Sequence, residues 1–319
     1  MALMNDGTVK SWGYNESGKL GLGDTDNRTT PTTVNNLSNV KSLAAGNNHS
    51  LALMNDGTVK AWGANYYGQL GLGDNSNRSI PTTIPSLGNV KQIVAGEYCS
   101  LAVLDNGTVK AWGWNISGQL GLGYSDGNNI CTPTTISGLT DVKRIFHRNS
   151  STFVLLNDGT VKAWGSNSKS VLGIDTNGSL LLTPTVIPGL FGAKQISIGR
   201  FYTVALLDGG TVKTWGMNNT YQLGLGDSDD RNAPTTVQGL IGVNLLEAGA
   251  THSIALMNDG TVKAWGSSYE GALGIGLNWA ASPTTIPNLT YDILPVISTI
   301  SPSQNGTLFQ NLQMSKRGV

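Results

Sequence analysis

Apolar and polar positions alternate along this chain in short bursts. Leu51-Ala52-Leu53-Met54, the polar turn Asn55-Asp56-Gly57 and the run Thr58-Val59-Lys60-Ala61-Trp62 read as a hairpin, because such a tight turn needs residues that tolerate positive φ. A glycine-rich loop, Gly68 to Asp74, leads to Pro81-Thr82-Thr83-Ile84, where proline suits only a strand start or a sheet edge. Val90 to Gly96 is a fourth strand, and no run is long enough for a helix. The pattern then repeats. Trp12, Trp62, Trp112, Trp164, Trp215 and Trp265 all sit in T-V-K-x-W-G, at spacings of 50, 50, 52, 51 and 50 residues. A period of this size denotes a solenoid, propeller or array, and four short strands per period describe a propeller blade. The fold class expected is all-β: a β-propeller of four-stranded blades over residues 1–300. Residues 301–319 leave the repeat and read as a linker or the truncated start of a following domain.

The order of strands within a blade follows from residue size. Ala44-Ala45-Gly46 and Val94-Ala95-Gly96 are small, as an innermost strand crowded by neighbouring blades requires. These segments are therefore strand A, the Leu51–Met54 type strand B, the T-V-K-x-W type strand C and the P-T-T type strand D at the rim. Antiparallel strands alternate direction, so the A–B and C–D connections share one face of the disc and the B–C and D–A connections share the other. Residues 1–39 supply only strands B, C and D of a first blade. If Ile293–Thr299 pairs with Met1–Asn5, six blades close a ring; otherwise the array is an incomplete seven-bladed one.

The stretch W-G-x-N-x-x-G-x-L-G-L-G-D, as in Trp62 to Asp74, preceded by G-x-x-H-S as in Gly46 to Ser50, resembles the regulator of chromosome condensation family of β-propeller repeats. The resemblance covers roughly residues 1–290 and implies a propeller, usually of seven blades. Members include a nucleotide-exchange factor for a small GTPase, a plant ultraviolet photoreceptor and a bacterial inhibitor of β-lactamases. They share a shape and no single chemistry, so function has to be argued from sites.

Composition narrows the choices. Only 13% of residues are charged, 20 basic against 20 acidic, a balance that offers no electrostatic reason to expect DNA, RNA or an anionic membrane. No segment approaches the roughly 20 apolar residues of a membrane helix, and Met1 falls inside a strand rather than a signal peptide. Low charge with abundant Gly, Asn, Ser and Thr suggests a bacterial protein, extracellular or at the cell surface. Cys99 and Cys131 flank a strand C and should stand roughly 9–10 Å apart, beyond the about 7 Å a disulfide tolerates. Two free thiols are expected.

Chemical motifs are thin. Gly21-Leu22-Gly23 and its copies precede no helix, as a phosphate loop would require. Asp24-Thr25-Asp26 and Asp227-Ser228-Asp229-Asp230 resemble half of a calcium loop but lack its Gly and distal Glu. His49 and His252 recur in one slot of the period, as a repeated hydrogen-bonding element does. His147 and Arg148 stand where other copies have a small residue and glycine, and need solvent or partners there. With no base, nucleophile and carboxylate assembled, neither enzyme activity nor a metal or organic cofactor is expected. The six blade tryptophans read as core.

Comparing the copies separates what the fold dictates from what it leaves free. The B–C turn stays N-D-G, D-N-G or D-G-G, whereas the A–B and C–D connections vary. That variable face carries Tyr14, Tyr66, Tyr67, Tyr98, Trp114, Phe201, Tyr202, Tyr221 and Tyr269, with Arg148 and Arg200 among them. Tyr, Trp and Arg are the usual anchors of protein interfaces. The expected function is a non-enzymatic scaffold that binds a protein through this face. A lectin-like, glycan-binding surface is the alternative, and guanine-nucleotide exchange on a small GTPase stands behind both.

Overall fold

The computed structural model describes residues 1–176 and 178–291. Six antiparallel sheets follow one another along the chain: a three-stranded first sheet and five four-stranded ones, each hydrogen-bonded in the order A-B-C-D. Blade 3 is representative, with A at Val90–Ala95, B at Cys99–Leu104, C at Val109–Gly113 and D at Ile130–Thr135. Blade 1 has Ala2–Leu3, Val9–Gly13 and Arg28–Thr33 and, among the described residues, no strand A. Strand D pairs only with strand C, so its proline costs no ladder bond on the open side. Helix is confined to three-residue 3-10 turns such as Glu16–Gly18. Cys131 lies inside strand D rather than before it, and both cysteines are free.

Main-chain bonds confirm the two faces. Val40, Val90 and Val142, which open A strands, donate to Gly7, Gly57 and Gly107 in the B–C turns of the preceding blades, at 3.0–3.2 Å. On the opposite face the residue after strand C donates back to the A–B connection of its own blade: Ala64 to Asn48 O at 2.8 Å and Trp114 to Tyr98 O at 3.0 Å. Variable loops of both kinds are thereby tied together.

The blades are joined by one repeated latch. Trp62, Trp112, Trp164, Trp215 and Trp265 are fully buried, and each indole Nε1 donates to a main-chain carbonyl in the glycine loop of the blade before it. The acceptors are Lys19, Gln69, Gln119, Val171 and Gln222, at 2.8–3.0 Å. The same carbonyls accept a second bond from the hydroxyl of the second residue of strand B, as Ser100 Oγ does to Gln69 O at 2.8 Å. The indole lies against the second glycine of G-x-L-G; a Cβ on Gly71 would stand 2.8 Å from Trp112 Nε1. Asn65 shapes the loop, accepting from Leu70 N at 2.9 Å and donating to Asp74 O at 2.8 Å. Blade 4, whose loop reads Ser170-Val171-Leu172-Gly173-Ile174-Asp175 in place of the glycine-rich pattern, keeps this device through Asn167.

Trp12 departs from the expectation that all six blade tryptophans are core: it is 41% exposed. The reason is positional: among the described residues no glycine loop lies against this indole. Conversely, Gly274 in blade 6 is an exposed seat with no indole on it. The two ends of the described array thus carry the unjoined halves of the latch. The possible closing strand Ile293–Thr299 and the segment 301–319 lie outside the described residues.

Loss of one latch should be measurable. Trp112→Phe removes one hydrogen bond, about 1 kcal/mol, whereas Trp112→Ala should cost about 3–5 kcal/mol. Trp12→Ala should cost less than about 1 kcal/mol, as exposed positions do. Urea denaturation of the three variants would check this ordering.

Candidate interaction surface

The tie between A–B and C–D connections brings three of the predicted residues into one cluster. Tyr67 belongs to the C–D loop of blade 2, while Tyr98 and Trp114 lie in the A–B and C–D connections of blade 3. Their ring centroids are 5.0, 5.2 and 5.6 Å apart, with the Tyr98–Trp114 pair edge-to-face, within the range of favourable aromatic contact. Gln69 Oε1 holds the Tyr67 main chain at 2.9 Å. All three rings remain partly open to solvent.

The other predicted residues are spread around this cluster rather than joined to it. Tyr66 is exposed, its hydroxyl accepting from Asn77 Nδ2 at 3.1 Å. Tyr14 stands beneath the Lys19 ammonium, 4.9 Å from the ring centroid. Arg200 lies over Phe201 at 5.3 Å, and Tyr269 is 78% exposed. Tyr221 is half-buried and stacks at 4.6 Å on Trp279. Tyr202 corrects the expectation: it is fully buried, packs over Gly199 and bonds through its hydroxyl to His252 O and Ser253. It occupies the slot of His49 in the period, so it belongs to the joint between blades 5 and 6.

Arg148 reaches the axis. Its Nη1 donates to Ile198 O at 2.7 Å and Ala248 O at 3.1 Å, carbonyls on the A strands of the next two blades. In other blades the residue three places after the glycine packs over it; here small Ser151 follows Arg148, leaving the guanidinium room. Deeper in the channel, Glu247 accepts from Ser197 Oγ at 2.8 Å and Gln195 Nε2 at 3.0 Å. Burial raises its pKa despite those bonds and the nearby Arg148 charge.

Sorted by face, the neutral chain is not uniform. Among the described residues, the A–B/C–D side carries twelve Asp and Glu against seven Lys and Arg, and the B–C/D–A side eleven Lys and Arg against seven Asp.

The regulator of chromosome condensation (RCC1) repeat matches residues 6–53, 56–103, 106–154, 158–206 and 209–256. The chain belongs to that family. The ultraviolet-B receptor UVR8 of Arabidopsis thaliana is 32% identical over 237 residues, 73% of this chain and 54% of its own length. Protein pim1 of Schizosaccharomyces pombe is 34% identical over 120 residues, 33% of this chain and 22% of its own. The chain therefore aligns with about a fifth to a half of the length of these relatives. Among solved structures, Prp20p of Saccharomyces cerevisiae, described with its binding to Gsp1p and histones, aligns at a TM-score of 0.77 and 25% identity, covering 90% of this chain and 74% of that one. Human WBSCR16 aligns at 0.76 and 25%, covering 89% and 78%. These four relatives are eukaryotic and lend no support to a bacterial surface origin.

The RCC1 repeats account for the remaining chemical candidates. Cys99 Sγ and His147 Nε2 are 3.4 Å apart, and His147 Nδ1 meets Thr152 Oγ1 at 2.8 Å. Burial pushes the thiol up to about 12 and the imidazole down to about 4, so at neutral pH both are uncharged and the thiolate a nucleophile needs is absent. His49 Nε2 bonds Ser100 Oγ across blades at 2.9 Å. Asp24, Asp74 and Asp227 each pair with an arginine four residues on, at 2.6 Å. The calcium-like loops are thus occupied by guanidinium, and no metal-ligating cluster occurs among the described residues. No helix there is long and apolar enough to cross a membrane.

Burial also pushes His49 down to about 4. His49 and His147 are therefore neutral in the fold and titrate near 6.5 when unfolded. The stability they contribute is complete above pH 6.5 and is lost as pH falls toward 4, up to about 3 kcal/mol each. Glu247, with its raised pKa, acts in the opposite sense. The melting temperature should fall between pH 7 and pH 4.5, and His49→Gln/His147→Gln should flatten that slope in a calorimetric series.

Proposed function

We propose that this RCC1-repeat propeller is a non-enzymatic binding module that holds a protein partner on its A–B/C–D face, anchored by Tyr67, Tyr98 and Trp114. The observation that carries this reading is the cluster itself: three large rings drawn from two blades, in contact and partly open to solvent. Such rings bury much area with few torsions to freeze. A partner covering about 800 Å² would reach from the cluster toward Arg148 at the axis and Arg200–Phe201, with Tyr14, Tyr66, Tyr221 and Tyr269 as further contacts. The acidic surplus of this face favours a partner with a basic segment. The kinship with Prp20p, described with binding to Gsp1p and histones, supports a protein partner without naming it. A glycan reading would call for the same polar groups in every blade, and the aromatic contacts here concentrate between two.

Pull-down with purified protein, run beside a glycan array, tests the reading. Trp114→Ala should weaken the captured interaction at least tenfold, as hot-spot truncation does, and Tyr67→Ala should weaken the same one. Binding to every protein partner that survives both changes would remove the face assignment. An array signal abolished by Trp114→Ala would transfer it to a glycan, and accelerated nucleotide release from a small GTPase would point to exchange activity.

A further inference from the structure

The five A strands share an irregularity at their first turn. The pairing Val40↔Met54 is followed by Ser42↔Leu53, leaving Lys41 unpaired. The same β-bulge sets out Lys91, Lys143, Lys194 and, in blade 6, Asn244. A bulge frees its extra residue from the ladder and re-aims the side chain. Four of these five positions are lysine, and Lys41, Lys143 and Lys194 are exposed.

These lysines differ from those of the T-V-K strands. Lys10, Lys60, Lys162 and Lys263 each lie near the aspartate of the adjacent B–C turn and help hold that carboxylate below its usual range, after the turn threonine's hydrogen bonds. Those charges offset one another, and Lys110 and Lys213 are matched in number by Asp105 and Asp208 of the remaining B–C turns. The surplus on the B–C/D–A face is therefore the bulge lysines and Arg144, countered by Asp141. Neighbouring A strands lie side by side around the axis. Gln92 exchanges bonds with the main chain of Ile145 at 2.6 and 3.0 Å, and Arg144 Nη1 donates to Lys194 O at 3.2 Å. Beside the B–C turns of blades 4 and 5, the starts of their A strands border a cleft of about 280 Å³ holding Lys143, Arg144 and Lys194, with Asp158, Asp208 and exposed Phe191 on its walls.

We propose that this cleft binds a compact anion carrying several phosphate groups. Ammonium groups on flexible stems are point-charge phosphate binders, and a guanidinium adds directed donors. Arg144 spends one Nη1 bond on Lys194 O, which fixes the guanidinium beside the cleft. Three cations lining one cleft suit a compact polyanion. A nucleic-acid strand would want a linear basic groove with stacking rings. The site lies on the face opposite the aromatic cluster and stands independently of the protein-binding reading.

Titration calorimetry of the full chain with sodium tripolyphosphate tests it. Saturable binding is expected, weakened by added salt, reduced at least about tenfold by Lys143→Gln/Lys194→Gln and unchanged by Trp114→Ala. Lys91→Gln, one blade away, should give a smaller loss in the same direction, and equal melting temperatures would show that the variants are folded. No binding of tripolyphosphate, unchanged affinity in the double variant, or tighter binding of hexaglutamate or of a DNA duplex would each overturn the proposal.

Discussion

The structure depends on one contact made five times: an indole set against a glycine of the preceding blade, its Nε1 bonded to a loop carbonyl that also takes a strand-B hydroxyl. A blade has two faces to bury and cannot do so alone. The latch meets that need while satisfying a buried carbonyl twice. It explains why tryptophan, a pair of glycines and a serine or threonine recur together although they lie in different parts of each repeat. Side chains with Cβ atoms in the glycine seat would push the indole away and part the blades.

Once the latch and the Asn-shaped loop are in place, the tips of the A–B and C–D connections are under little structural demand. Aromatic and charged residues accumulate there with a different identity in each copy. The exceptions are instructive. Tyr202 sits in an A–B connection by sequence, yet the glycine before it offers the same seat that His49 uses, and the ring turns inward. Arg148 instead extends across the axis to the next two A strands, because Ser151 leaves its own seat empty. Position in the repeat and the size of the neighbour three residues away decide between joint and surface.

The same geometry sets the state of the titratable groups. His49, Cys99 and His147 are drawn into the joints between blades, where burial holds them neutral. The loop aspartates are drawn to arginine. Charge that is left over is sorted by strand direction: acid beside the C–D loops, lysine at the start of the A strands. A chain with zero formal net charge thereby gains two electrostatically distinct faces.

The period of about 50 residues, the four strands of each blade, their order and the two-face parity were all legible in the sequence, because each follows from local rules: alternation, turn residues and antiparallel direction. The variable face could be read the same way, since copies within one chain expose which positions the fold leaves free. What the sequence could not decide was which residues meet across blades. Tyr67 joining Tyr98 and Trp114, Trp279 stacking on Tyr221 and Trp12 lacking a seat all depend on contacts between separate repeats. The bulges at Lys41, Lys91, Lys143 and Lys194 were equally hidden, because V-K reads as ordinary strand until its register against strand B is known. Local rules determine the blade; the packing of one blade on the next determines which side chains are left to bind.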